Sequence, residues 1–244
     1  MAPPTYRSPV APPIPRSPAI SRSPVIPSTP ESLNVRQLSS FTQEELEEID
    51  KKMHDKGFSI AMFLADNETF AQVYSKDLDT LQRYGITCKQ IADRLEILVE
   101  KLRNKEDLIH QKIIQYSQRE LNIINSLFPV PTNISMGNLN KRMTKQHTEF
   151  RAIIDDKFLM SMVPTMGVQY CPFKMERKYN PSGYIITDTC GRGSADYMVY
   201  NLKTNKFLRF SDLSIHLIRD HCFFEGNIPY RVDPEIAIEV LELK

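Results

Sequence analysis

The stretch that decides the fold runs from Asp188 to Cys222 and has the sequence DTCGRGSADYMVYNLKTNKFLRFSDLSIHLIRDHC. Alternating apolar residues over 196–210 predict two short strands joined as a β-hairpin. Ser211 or Asp212 then precedes a periodic apolar run, which is typical of a capped helix that ends near Cys222. Strands followed directly by a helix predict a small α+β unit and not a parallel βαβ sheet.

This unit extends in both directions from the hairpin. A further strand is predicted at 183–187, ahead of the glycine-rich loop. Asp233 followed by Pro234 supplies an N-cap and a first-turn proline for a last helix over 235–243. We therefore predict a small α+β domain over residues 161–244, with one β-hairpin and one or two helices.

The middle of the chain, residues 41–128, has a helical pattern. Thr42 and Thr87 each open a Thr-x-x-Glu or Thr-x-x-Gln capping box, and Gly85 stands where a helix-ending glycine belongs. After Thr87, leucine and isoleucine recur at three- and four-residue steps toward Phe128. This spacing predicts one long helix in a helical hairpin or bundle, or in a short coiled coil.

The remaining segments are predicted to be less regular. Ten of the seventeen prolines lie in residues 1–30, where Arg-Ser-Pro occurs three times. Proline removes backbone donors and disfavours helix before it, so we predict a disordered tail over residues 1–40. Residues 129–160 are predicted to form a linker followed by a basic helix, which carries Lys141, Arg142, Lys145 and Arg151.

Composition narrows the classes of function. A net charge of +1 gives no electrostatic case for nucleic-acid binding. Residues 85–95 resemble the first helix of a helix-turn-helix unit, but no turn follows them, so DNA binding is not expected. No apolar run is long enough for a membrane span or a signal peptide, which predicts a cytoplasmic or nuclear protein without membrane contact. Four scattered cysteines predict reduced thiols.

Four residues in the C-terminal unit are candidate metal ligands. Cys171, Cys190, His216 and His221 supply two thiols and two imidazoles, and the His-x4-His spacing is typical of zinc ligands at a helix end. No Cys-x2-Cys pair is present, and Cys222 could replace Cys190 in the set. The alternative is that the cysteines are small buried apolar residues of an ordinary core.

The same region also permits a thiol-based active site. Cys190 lies in a Gly- and Ser-rich loop beside Arg192, and His216 could act as its base. Either Asp212 or Asp220, each one helical turn from His216, could orient that histidine. A loop of this composition is also typical of a plain turn between strands.

Together these patterns favour a non-enzymatic intracellular interaction protein. Amphipathic helices and a C-terminal unit dense in tyrosine and phenylalanine predict binding to a protein partner or self-association. The alternatives are a small zinc-binding domain, a thiol-dependent enzyme or a nucleic-acid binder. Zinc is the one cofactor that the residues suggest.

The tail is expected to contribute nothing to folding, because it has no apolar periodicity to bury. A truncation that starts at Ser32 should melt within about 2 °C of the full chain in a thermal scan. A fall of about 10 °C would mean that the tail packs on the folded body.

Overall fold

The computed structural model describes residues 38–55, 62–112, 114–127, 149–179 and 185–244. The proline-rich tail and most of the linker with its basic helix lie outside these ranges, and the domain boundaries stay predictions. The described chain is α+β, as predicted, with helices first and antiparallel strands and C-terminal helices after them. In these ranges no helix combines the length and the apolar character that crossing a membrane requires.

The first half of the described chain contains four α-helices, and the first three begin at threonine caps. The four helices are α1 (Gln43–Met53), α2 (Phe70–Tyr84), α3 (Cys88–His110) and α4 (Gln118–Leu127). In each cap the threonine side chain accepts a hydrogen bond from the backbone N–H three residues on. The Glu or Gln at that later position accepts one in turn, through its side chain, from the backbone N–H of the threonine. These threonines are Thr42, Thr69 and Thr87. Gly85 ends α2 in the left-handed conformation, with φ of 64°. The capping boxes predicted at Thr42 and Thr87 are confirmed.

The long helix predicted from Thr87 toward residue 128 is interrupted. Lys112 adopts a left-handed φ of 59° just beyond α3, and α4 starts six residues later. The break lets Tyr116 turn toward the sheet, where its hydroxyl donates to the backbone oxygen of Arg151 at 2.7 Å. The spacing of apolar residues did not reveal this break, because Tyr116 also fits the helical repeat.

The strands form one sheet and one separate hairpin. The sheet contains β1 (Phe150–Ile154), β2 (Phe158–Tyr170), β5 (Arg192–Asn201) and β6 (Lys206–Ser211), all antiparallel in the order β1-β2-β5-β6. The hairpin of β3 (Met175–Tyr179) and β4 (Ile185–Thr189) is inserted between β2 and β5. The predicted hairpin over 196–210 is confirmed, and Tyr197 lies opposite Phe210. Helices α5 (Asp212–His221) and α6 (Pro234–Val240) follow.

Strand β1 occupies positions for which the sequence predicts a basic helix. Phe150, Ala152 and Ile154 are buried on one side of β1, as the alternation of a strand requires. β1 pairs with β2 along its whole length, which satisfies the backbone groups on that side of the strand. The prediction was wrong at these residues because the charges upstream suggested a solvated helix, whereas the aromatic and β-branched residues of β1 favour a strand.

Helix α3 lies at the centre of a single hydrophobic core. One side of α3 packs against α5 and β1, and the inner face of the sheet completes the enclosure. Segments from the predicted helical region and from the predicted C-terminal unit therefore share this core. The buried residues of α3 are Cys88, Ile91, Ala92, Leu95, Leu98, Val99 and Leu102.

The outer edge of β1 is covered by side chains from the helical layer. The backbone oxygen of Ile153 accepts a hydrogen bond from Lys105 Nζ at 3.0 Å, and that of Arg151 accepts the bond from Tyr116. Lys105 also forms an ion pair with Glu120 of α4. The edge acceptors of β1 are thus occupied by two side chains that α3 and the segment after it provide.

A disulfide joins the start of α3 to the end of α5. Cys88 is the first residue of α3, Cys222 is the C-cap of α5, and their Cα atoms are 5.4 Å apart. This distance lies in the usual range for disulfides. The prediction of four reduced thiols was wrong for this pair, whose separation of 134 residues concealed its proximity.

Leu98 and Ile97 are adjacent in α3 but face opposite environments, with exposures of 0% and 44%. Leu98→Ala should lower the free energy of unfolding by about 2–5 kcal/mol, because it removes buried area and leaves a cavity. Ile97→Ala is the matched control and should change it by about 0.5 kcal/mol or less. Chemical denaturation measures both. The position of α3 in the core would be contradicted if the two variants lowered the free energy of unfolding equally. It would also be contradicted if Leu98→Ala lost self-association but kept the stability of the monomer.

Candidate metal centre

Two of the candidate ligands lie at the base of the β3–β4 hairpin. Cys171 follows β2 directly, and Cys190 follows β4. The two chain segments run side by side there, because Cys171 N–H donates to the oxygen of Gly191 at 2.9 Å and Cys190 N–H donates to the oxygen of Lys174 at 3.3 Å. The hairpin therefore brings together two cysteines that are separated by eighteen intervening residues.

The other two candidates lie on α5. Ser211 caps this helix and Cys222 ends it in the left-handed conformation, so His221 is its last helical residue. His216 lies five residues earlier, and the two imidazole rings meet edge to face with centroids 5.1 Å apart. The end of α5 thus presents both rings to the base of the hairpin.

All four side chains meet at one point. Cys171 Sγ lies 3.4 Å from His221 Nε2, and Cys190 Sγ lies 3.4 Å from His216 Nε2 and 3.5 Å from His221 Nε2. The four donor atoms all lie within 4.8 Å of one another. A tetrahedral zinc site with ordinary Zn–S and Zn–N bonds has sulfur-to-nitrogen edges of about 3.6 Å, which these separations approach.

Neighbouring side chains orient both histidines. His216 Nδ1 lies 2.5 Å from the carboxylate of Asp220, and this contact directs Nε2 toward the two sulfurs. Histidines that bind metals commonly have such a carboxylate partner on the second ring nitrogen. The ring of His221 stacks on Phe173, with centroids 4.2 Å apart and planes 9° apart. Phe173 in turn packs edge-on against Phe70 and Phe223.

The local electrostatics suit a cation at this point. Burial, together with nearby His216, lowers the pKa of His221 to about 4, so this ring is neutral near pH 7 and its lone pair is available. Burial and the adjacent Cys190 thiol raise the pKa of Cys171 above its usual range. Backbone N–H groups of Phe173 and Lys174 partly oppose that rise. A divalent cation would supply the positive charge that a buried thiolate lacks.

Gly191 allows the close approach of the hairpin to α5. A Cβ atom at this position would overlap the imidazole ring of His216. The sequence suggests a flexible turn at this loop, so the steric role of the glycine was missed. Phe173 was missed for a similar reason, because a single aromatic after a proline has no distinctive spacing.

The structure separates the alternatives within the candidate residues. Cys222 points away from the cluster into its disulfide with Cys88, so Cys190 is the cysteine that joins Cys171. Asp220 contacts His216, whereas Asp212 bonds to Arg103 and to the backbone of Ser194. The candidate thiol site is also assembled, since Cys190, His216 and Asp220 form a continuous chain of contacts.

No known protein family, no curated protein and no solved structure matches this chain.

Proposed function

We propose that this chain is a non-enzymatic interaction protein that binds one structural zinc ion through Cys171, Cys190, His216 and His221. One observation carries the proposal: two thiols and two imidazoles, from two separate parts of the chain, place their donor atoms within 4.8 Å of one another. A mixed set of two thiols and two imidazoles is a common ligand set for structural zinc.

The number of ligands argues for a structural and not a catalytic ion. A catalytic zinc keeps one position open for water or substrate, whereas four protein ligands fill the tetrahedron. Three of the four ligands are buried or half-buried, and only Cys190 is exposed. The ion would join the base of the β3–β4 hairpin to the end of α5 and would thereby stabilise the fold.

Exposed aromatic and basic residues support the protein-binding part of the proposal. Phe207, on the outer strand β6, is 52% exposed, and the guanidinium of Arg209 lies over its ring at 5.8 Å from the centroid. Aromatic residues and arginine are enriched in protein interfaces. Exposed Phe207 and Arg209 therefore favour a protein partner or a second copy of this chain at this face.

A thiol-dependent enzyme is the second candidate, and one observation favours it. Cys190, His216 and Asp220 lie in the order of nucleophile, base and orienting carboxylate, with contacts of 3.4 Å and 2.5 Å. The metal proposal is preferred because it also accounts for Cys171 and His221, which a thiol enzyme would not require at the same point.

The zinc proposal makes local folding dependent on metal. The purified protein should contain about one zinc per chain by elemental analysis, and a chelator should lower its melting temperature because the ligands converge only in the folded state. His221→Ala should lose the zinc and reproduce the lower melting temperature. His110→Ala, an exposed histidine outside the site, is the matched control and should keep the metal.

One outcome would contradict the zinc proposal, and the reactivity of Cys190 would then distinguish the remaining alternatives. A metal-free preparation that binds no added zinc and does not respond to chelator would exclude a structural ion. Rapid alkylation of Cys190 near neutral pH in such a preparation would support the thiol enzyme instead. Slow alkylation of Cys190 in such a preparation would support the remaining alternative, in which the cysteines are ordinary core residues.

Asp220 is expected to strengthen zinc binding through His216. Asp220→Asn should weaken zinc affinity about 10- to 100-fold, since a carboxylate bonded to the other ring nitrogen orients a ligating histidine. Its carboxylate is 51% exposed, so thermal stability of the metal-free chain should change little. Asp212→Asn is the matched control on the same helix and should leave zinc affinity unchanged. Competition with a chromogenic chelator measures both, and equal affinities in the two variants would exclude this role.

A further inference from the structure

Two of the four proposed zinc ligands are cysteines, and neighbouring cysteines can form a disulfide when they are not bound to metal. Resting on the zinc site proposed above, we propose that a hydroperoxide oxidises Cys171 and Cys190 to a disulfide and thereby releases the ion. The site would then act as a redox-controlled connection between the β3–β4 hairpin and α5. Three features of the structure carry this inference.

The first feature is the unequal exposure of the two sulfurs. Cys190 is exposed to solvent, whereas Cys171 is 0% exposed. A zinc-bound thiolate at Cys190 is therefore accessible to a small oxidant in solution. Cys171 is shielded from the oxidant but lies next to the residue that would react first, as a resolving cysteine does.

The second feature is the backbone geometry at the hairpin base. The hydrogen bonds from Cys171 to Gly191 and from Cys190 to Lys174 hold the two segments as close neighbours. The sulfurs already lie within 4.8 Å, and a disulfide requires them at about 2.05 Å. Because the backbone hydrogen bonds already hold the two segments together, we expect side-chain rotation to bring the sulfurs into bonding distance.

The third feature is that the chain has no other free thiol with which Cys171 or Cys190 could form a disulfide. The chain has four cysteines, and Cys88 and Cys222 are bonded to each other. Cys171 and Cys190 are the two free cysteines. Oxidation of this chain therefore has one intramolecular product within reach.

The reaction balances with one hydroperoxide as oxidant. With hydrogen peroxide, the Cys190 thiolate attacks one oxygen, the O–O bond breaks, Cys190 becomes a sulfenic acid, and the displaced hydroxide takes up a proton. The Cys171 thiolate then attacks the sulfenic sulfur, forms the S–S bond and displaces a second hydroxide, which is also protonated. With hydrogen peroxide, two thiolates, one peroxide and two protons give one disulfide and two waters, and the zinc leaves unoxidised.

Oxidation would change which parts of the molecule are joined. The disulfide keeps the base of the hairpin closed, because both cysteines belong to it. His216 and His221 lose their two sulfur partners, and two imidazoles alone do not complete a zinc site. The hairpin and α5 are then no longer joined through the ion.

The test uses the full chain loaded with one zinc and titrated with hydrogen peroxide. A chromogenic chelator follows zinc release, and peptide mapping under non-reducing conditions locates disulfides. We expect up to one zinc released per chain, in proportion to a new Cys171–Cys190 link, with the Cys88–Cys222 link unchanged. Dithiothreitol followed by zinc should restore the loaded form.

The outcomes separate this inference from the zinc site itself. A chain that binds no zinc before peroxide is added overturns both. A chain that binds zinc but keeps it under peroxide, or releases it with sulfinic acid or another pairing in place of the Cys171–Cys190 link, overturns the redox inference alone. Cys190→Ser, loaded with excess zinc, should form no link and release zinc at least tenfold more slowly than the parent chain. If that variant does not hold zinc, the peptide map of the parent chain still decides.

Discussion

The packing of α5 against α3 is the constraint on which the site depends. Arg219 of α5 bonds to both Glu96 and Asp93 of α3, and the Cys88–Cys222 disulfide ties the end of one helix to the start of the other. Leu217 and Ile218 are fully buried in the same core as α3. Because these contacts fix α5 along its length, its two histidines reach their positions through the protein fold itself.

A site positioned in this way would need little rearrangement to bind its ion. The four ligands are spread from Cys171 to His221, and bringing them together costs conformational entropy of the intervening chain. The folded sheet and α5 already hold the ligands together, so the ion would not have to offset that cost. The proposed ion would contribute at the junction where the two-stranded β3–β4 hairpin meets α5. A two-stranded hairpin is only marginally stable by itself, so an attachment at its base has a large effect on its order.

Local chemistry explains which elements were predictable. The caps at Thr42, Thr87 and Asp233 act through hydrogen bonds within three residues, and each was recognisable from the sequence. The ligand types were recognisable too, because thiols and imidazoles suit zinc. Long-range packing decided two further features, namely which cysteine joins the cluster and where α3 ends. Those outcomes depend on contacts between residues distant in sequence, which periodicity does not contain.

The covered edge of β1 limits how this chain can assemble. An incoming strand would need the outward-facing carbonyl oxygens of Arg151 and Ile153, and these already accept bonds from Tyr116 and Lys105. The cation of Lys105 at this edge adds a further obstacle to strand addition. Growth of the sheet into a continuous ribbon of molecules is therefore blocked on this side. A partner or second copy must approach through side chains and not through backbone pairing with β1.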